Sequence, residues 1–282
     1  MLEKNISMRK IVRILTFVFM IIASVLFVFF GLKEITIFFG IIFVSFGYIW
    51  QLMGIKKNDV LLSINDGNYY VANFALKHIN IDINRGDIVG IIGKNGAGKT
   101  TLLNLLAGIY IWKKGNIIRN VTNVGYCFDD LSVPMDLNIR ELKRIFKKLI
   151  YNWDSDFFEF LLKKLKLPQD KPCKTFSKGM KMQLNVAIAL SHHAELLILD
   201  EVTAGLDILV RRNLINLVFN YSQKYNVPIV LTTHNLADVA NLCTKFVLVN
   251  NGKVKLKEKT EHQTGKDIEK MFYDFLESEN YS

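Results

Sequence analysis

Two short runs in this chain combine residue types and spacings that could do chemistry. The first, Gly93-Lys94-Asn95-Gly96-Ala97-Gly98-Lys99-Thr100, satisfies the pattern G-x-x-x-x-G-K-[ST]. Glycines let a loop turn its backbone N–H groups inward around phosphate oxygens, and a helix that follows adds its positive N-terminal end. In such a loop Lys99 can reach β- and γ-phosphates, and the Thr100 hydroxyl can ligate Mg²⁺. The second run, Leu196-Leu197-Ile198-Leu199-Asp200-Glu201, leads an apolar strand into two carboxylates. Asp200 is suited to hold Mg²⁺ through its water shell, and Glu201 to orient and polarise an attacking water. Apolar strands ending in an acid are common, so this run takes its weight from its partner at 93–100.

Both runs need strands to hold them. Ile88 to Ile92 is continuously apolar, as a strand buried on both faces should be, and an apolar helix is expected from Thr101 to Ile109. Residues 74–83 alternate through Phe74, Leu76, Ile79, Ile81 and Ile83, which suits a half-buried antiparallel strand. Helical periodicity covers 137–166. Helices are expected over about 178–191 and 208–224, and strands at Leu196–Leu199, Ile229–Thr232 and near Phe246–Val249. Alternating strands and helices imply an α/β architecture: a largely parallel sheet with helices on both faces and the carboxylates at its carboxyl edge.

Taken in order, Gly93–Thr100, Phe176-Ser177-Lys178-Gly179-Met180, Leu196–Glu201, Ala204-Gly205-Leu206-Asp207 and His234 resemble the nucleotide-binding domain of an ATP-binding cassette (ABC) transporter. The resemblance covers about residues 60–275 and is specific as an ordered set. It implies a P-loop NTPase domain over 60–282 with antiparallel β and helical subdomains, the latter over about 131–190, using ATP and Mg²⁺. Nucleotide contacts would come from Gly93, Lys94, Asn95, Gly96, Ala97, Gly98, Lys99, Thr100 and Thr101. Tyr70, 23 positions before Gly93, stands where such domains stack an aromatic on adenine, with Tyr69 its rival by one position. Ser177 and Gly179 would contact the γ-phosphate bound by the other subunit of a dimer. Asp207 would communicate across that dimer, and His234 would hydrogen-bond the γ-phosphate. Glu201 and His234 are the expected catalytic pair, and Thr100 and Asp200 the expected metal ligands. Asp129 falls where the family usually has Gln. It can serve Mg²⁺ as an oxygen ligand, but it adds negative charge near the γ-phosphate.

The Ser-Lys-Gly-Met signature and Tyr151-Asn152-Trp153-Asp154 further resemble ATPase subunits of ABC-2-type bacterial exporters, which often handle peptides, lipids or drugs. That implies separate permease subunits and a homodimer, or a heterodimer with another ABC ATPase. Aromatics such as Phe157 and Phe158 are expected on the exposed face of the helical subdomain. A membrane-anchored regulatory ATPase, signalling by ATP-dependent dimerisation without moving a solute, is the alternative function.

Composition points to the membrane. Of the 282 residues 50% are hydrophobic and the mean hydropathy is +0.21, too apolar for a plain cytosolic enzyme or a disordered chain. Residues 14–32 and 35–55 contain no charged side chain, each about the ~20 residues that cross a bilayer. They read as a transmembrane hairpin over 1–57, with helices at about 13–32 and 35–54. Lys4, Arg9, Lys10 and Arg13 precede it and Lys56 and Lys57 follow, so the N-terminus and the ATPase domain are expected to face the cytoplasm from the cell membrane. The net charge of +10 carries no basic-helix or aromatic-sheet signature, which argues against nucleic acid. Cys127, Cys173 and Cys243 are odd in number and widely spaced, so neither a disulfide framework nor a metal site is expected from them.

Overall fold

The computed structural model describes residues 60–280 apart from Asn73 and Glu261, and the expected hairpin lies outside the described residues. Among those described, no helix is long and apolar enough to cross a membrane. Three strands form an antiparallel sheet in the order β2 (Phe74–Asn84), β1 (Val60–Val71), β4 (Lys114–Arg119). On β2 the apolar alternation slips from Leu76 to Ile79. Here His78 adopts φ +54° and the register against β1 shifts, so the break in the sequence pattern is a bulge.

A second sheet holds β3 (Ile88–Gly93), β5 (Val124–Cys127), β6 (Leu196–Leu199), β7 (Ile229–Thr232), β8 (Lys245–Asn250) and β9 (Lys253–Glu258). Their spatial order is β5-β6-β7-β3-β8-β9, with the first five parallel and β9 antiparallel to β8. Every residue of β3 and β6 is buried because both faces of this sheet are covered. Leu197 and Leu199 enter a core shared with Phe246, Leu248 and the helices, whereas Leu196 and Ile198 enter a core shared with β1 and β2. Parallel strands point their carboxyl ends the same way, so the residues after β3, β6 and β7 gather at one edge.

Helix α1 (Lys99–Ala107) follows β3 directly and buries Leu102, Leu103, Leu105 and Leu106 in the core it shares with the antiparallel sheet. The helical subdomain begins with α2 (Ile139–Leu149), started by a capping box between Asn138 and Glu141, and α3 (Ser155–Leu165), capped by Asp154. Trp153 lies against Phe146 and Phe158, with ring centroids 5.2 and 4.8 Å away. Phe158 is therefore fully buried, correcting the expectation that it faces outward, and Phe157 is half-buried with its ring centroid 6.0 Å from that of Tyr221. The exposed aromatic of α3 is Phe160. Helices α4 (Lys178–Leu190), α5 (Ile208–Tyr225), α6 (Leu236–Leu242) and α7 (Gly265–Asn280) complete the described chain. The Lys-rich stretch near 253–259 supplies the edge strand β9, with Val254 and Leu256 packed inward, and cationic edges discourage pairing with other chains.

The carboxylates after β6 depend on that strand staying in place. Leu197→Ala deletes a fully buried side chain and is expected to cost about 2–5 kcal/mol, read as a lower urea midpoint with an unchanged slope.

Candidate functional site

At the carboxyl edge of β3 the chain turns through Gly96 (φ +77°) and Gly98 (φ +107°) into α1. No side chain caps α1 and its first turn carries no acid, so its leading N–H groups face the turn without a competing acceptor. Lys99 is buried, and its ammonium donates to the carbonyls of Gly93 (3.0 Å) and Lys94 (3.2 Å), which folds the side chain back over the loop. At Gly98 a Cβ would lie 2.4 Å from the Phe74 ring, so the loop needs glycine for space as well as for its backbone angle.

Asp200 is the hub of the site and is only 5% exposed. Its Oδ2 accepts from the Thr100 hydroxyl at 2.9 Å and its Oδ1 from the Thr232 hydroxyl at 2.7 Å, joining the ends of β3, β6 and β7. Glu201 follows with φ +49°, a left-handed conformation that costs a non-glycine residue about 1–2 kcal/mol and persists only where neighbours enforce it. Its N–H donates to Thr232 Oγ1 (2.8 Å), and its carboxylate Oε1 meets His234 Nε2 at 2.8 Å.

Asp200 and Glu201 line a cavity of about 540 Å³ with Phe74, Asn95, Gly96, Gly98, Lys99, Thr100, Thr101 and Asp129. Burial, then the nearby carboxylates of Asp200 and Asp129, then Tyr110, push the Tyr126 phenol above its ordinary range. The loop carrying Asp129 is tied to α4 by Asn185, whose buried amide donates to the carbonyl of Phe128 at 2.9 Å. On its other side Glu201 borders a wider cleft of about 850 Å³, shared with Thr203–Leu206, His234 and the start of α7.

The structure thus brings together Asn95, Gly96, Gly98, Lys99, Thr100, Thr101, Asp129, Asp200 and Glu201, with His234 reaching in through Glu201. Gly93 anchors the base of the turn, since a Cβ there would lie 2.5 Å from the carbonyl oxygen of Val249. Lys94 and Ala97 line a small neighbouring pocket with Asn95. Tyr70 does not line the cavity. It is 43% exposed and its hydroxyl donates to Asn68 at 3.4 Å, while Tyr69 stacks on Tyr110 and the aromatic that touches the loop is Phe74. Ser177 and Gly179 also lie outside it. Ser177 caps α4 by accepting from the Met180 N–H, and Asp207 caps α5 through the N–H groups of Leu209 and Val210. Two further participants carry no mark in the sequence: Phe74 reads only as part of the strand alternation, and Thr232 only as the end of a strand.

Residues 76–204 match the ABC transporter family. The bacitracin transport ATP-binding protein BcrA of Bacillus licheniformis is 30% identical over 204 residues, 66% of this chain and 65% of BcrA, so the match spans just under two thirds of that relative. The molybdate import ATP-binding protein MolC of Haemophilus influenzae is 28% identical over 226 residues, 77% of this chain and 89% of MolC. A solved dimeric ATP-binding cassette in a post-hydrolysis state, bound to ADP and phosphate, is similar with a TM-score of 0.61. It is 20% identical over 72% of this chain and 99% of that one, and it supports the fold alone.

Gly98→Ala would place a side chain on a left-handed backbone and against Phe74. ATP affinity is expected to fall about tenfold or more, measured by titration with a fluorescent ATP analogue, because strain of about 1–3 kcal/mol must be relieved before the loop can close on phosphate.

Proposed function

We propose that the chain carries an ABC transporter ATPase domain, a unit that binds and hydrolyses ATP, and that it is the energy-coupling subunit of an exporter of peptides, lipids or drugs. The observation that carries the hydrolytic part is Glu201, held beside the loop cavity by His234 and by its own backbone. ATP enters with its phosphates on the N–H groups of Gly96–Thr100, and Lys99 trades its two carbonyl bonds for phosphate oxygens. Glu201 accepts a proton from the attacking water as the new bond to the γ-phosphorus forms and the bond to ADP breaks. His234 keeps the carboxylate aimed. The Thr100 hydroxyl and the Asp200 carboxylate form a hard oxygen pair that fits Mg²⁺. Mg²⁺ there would neutralise charge developing on the transferred phosphoryl group. Asp129 could add an oxygen to that set.

The exporter reading draws on the Ser177-Lys178-Gly179-Met180 signature and on the similarity to BcrA. The similarity to an import protein means that overall likeness alone does not favour one direction. A nucleotide-sandwich dimer, homo- or heteromeric, is supported by Ser177 and Gly179 lying outside their own chain's cavity, where they are left to meet ATP held by a partner domain. Separate permease subunits supply the translocation path. The charge-free runs at 14–32 and 35–55 support a membrane anchor with the ATPase domain in the cytoplasm.

Glu201→Gln preserves shape while removing the acceptor for the water's proton. Purified with its neighbouring membrane subunit, the variant is expected to bind ATP normally and lose turnover by about 10²–10⁴-fold, with substrate efflux lost in parallel. Wild-type turnover in this variant would sink the mechanism.

A further inference from the structure

Thr232 is 2% exposed and belongs to none of the motifs read from the sequence. Its hydroxyl has one proton to give. The Glu201 amide cannot accept it, so the proton goes to Asp200 Oδ1 at 2.7 Å while the oxygen receives the Glu201 N–H at 2.8 Å. The two bonds address two different functional residues from one atom. Asp200 is thereby turned so that its other oxygen faces Thr100. Glu201 is fixed at the peptide where its backbone is left-handed, and two residues further along the same segment His234 holds its carboxylate. The base is thus gripped at both ends from the tripeptide Thr232–His234.

We propose that Thr232 is a positioning residue for ATP hydrolysis, holding the Glu201 backbone in its left-handed conformation and locking the Asp200 carboxylate against Thr100. The inference rests on the assignment of Glu201 as the group that activates water. Threonine suits the position doubly. Its hydroxyl makes the two bonds, and its β-branched body fills the buried end of β7. Serine keeps the first property and valine only the second.

The test compares Thr232→Ser and Thr232→Val in the full chain, measuring kcat, KM for ATP and ATP-analogue affinity, with thermal unfolding recorded alongside. Thr232→Val is expected to lower kcat tenfold or more while KM and ATP affinity stay within about threefold, and Thr232→Ser to restore most of kcat. Should Thr232→Val fail to fold, Thr232→Ala carries the same comparison. Wild-type kcat in the valine variant overturns the proposal, as does equal loss in serine and valine, or a loss carried by ATP affinity. A double variant, Glu201→Gln with Thr232→Val, separates this proposal from the assignment beneath it. Acting through Glu201, the valine adds little to the loss already caused by glutamine. A full additional tenfold loss in the glutamine background overturns the role assigned to the Thr232–Glu201 bond, whereas wild-type turnover in Glu201→Gln alone removes the premise instead.

Discussion

A carboxylate buried at the end of a strand must have its oxygens satisfied, and Asp200 is the residue on which this constraint falls. Both of its oxygens accept from threonine hydroxyls, one from the first turn of α1 and one from the end of β7. Those two bonds do more than settle a local debt. They set the spacing between the loop that takes phosphate and the strand that presents Glu201. If either hydroxyl were lost, a buried oxygen would be left with one partner fewer, and one of the side-chain ties between these strand ends would be broken. Side-chain donors also leave the arrangement open to change, because a hydroxyl can exchange a carboxylate for a metal ion or a phosphate without moving the backbone.

The sheet makes this convergence available. In a parallel arrangement β3, β6 and β7 deliver their carboxyl ends to one edge, while alternate residues along each strand fill two separate cores. Helix α1 lies in the core shared with the antiparallel sheet, and α4 to α6 border the other. The cavity therefore receives its phosphate-facing loop from one layer and its hydrolytic groups from strands locked between both. Asn185 extends this link. From α4 it holds the loop that carries Asp129, so the helix beginning at the Ser177 signature is bonded to the rim of the cavity.

Much of this was legible because it depends on local patterns. The buried run Ile88–Ile92, the loop after it and Leu196–Glu201 read directly as a strand, a phosphate loop and a strand ending in acids. Even the bulge at His78 left a trace, as the slipped alternation between Leu76 and Ile79. What stayed hidden depends on tertiary partners. Nothing in the sequence distinguishes Thr232 from any threonine closing a strand, because its importance comes from atoms 31 and 32 residues away. The left-handed backbone of Glu201 is equally silent, since no glycine marks it. Phe158 reads as a surface aromatic in the sequence, but it is buried against the Trp153 ring. The edge strand β9 is hard to read because its two inward residues, Val254 and Leu256, are flanked by lysines.

The two outward motifs, similar at first sight, differ in what they can still offer. Ser177 and Asp207 each cap a helix, at the starts of α4 and α5. A serine hydroxyl that accepts from Met180 keeps its own proton and can donate it to a further acceptor. The first turn of α4 carries no acid, Lys178 opens it, and the Lys178 ammonium lies so close to Gly205 that a Cβ there would be 2.9 Å away. That end of α4 is therefore electrically suited to a phosphate. Asp207 is the opposite case. Its ionised carboxylate accepts hydrogen bonds only, two are already used on Leu209 and Val210, and a second anion beside it would be repelled. With Ile208 and Leu209 both well exposed next to it, the Asp207 turn offers apolar surface and a satisfied cap. Charge and hydrogen-bond capacity thus separate the two turns: the Ser177 turn keeps a hydroxyl proton and a neighbouring ammonium to offer, and the Asp207 turn keeps neither.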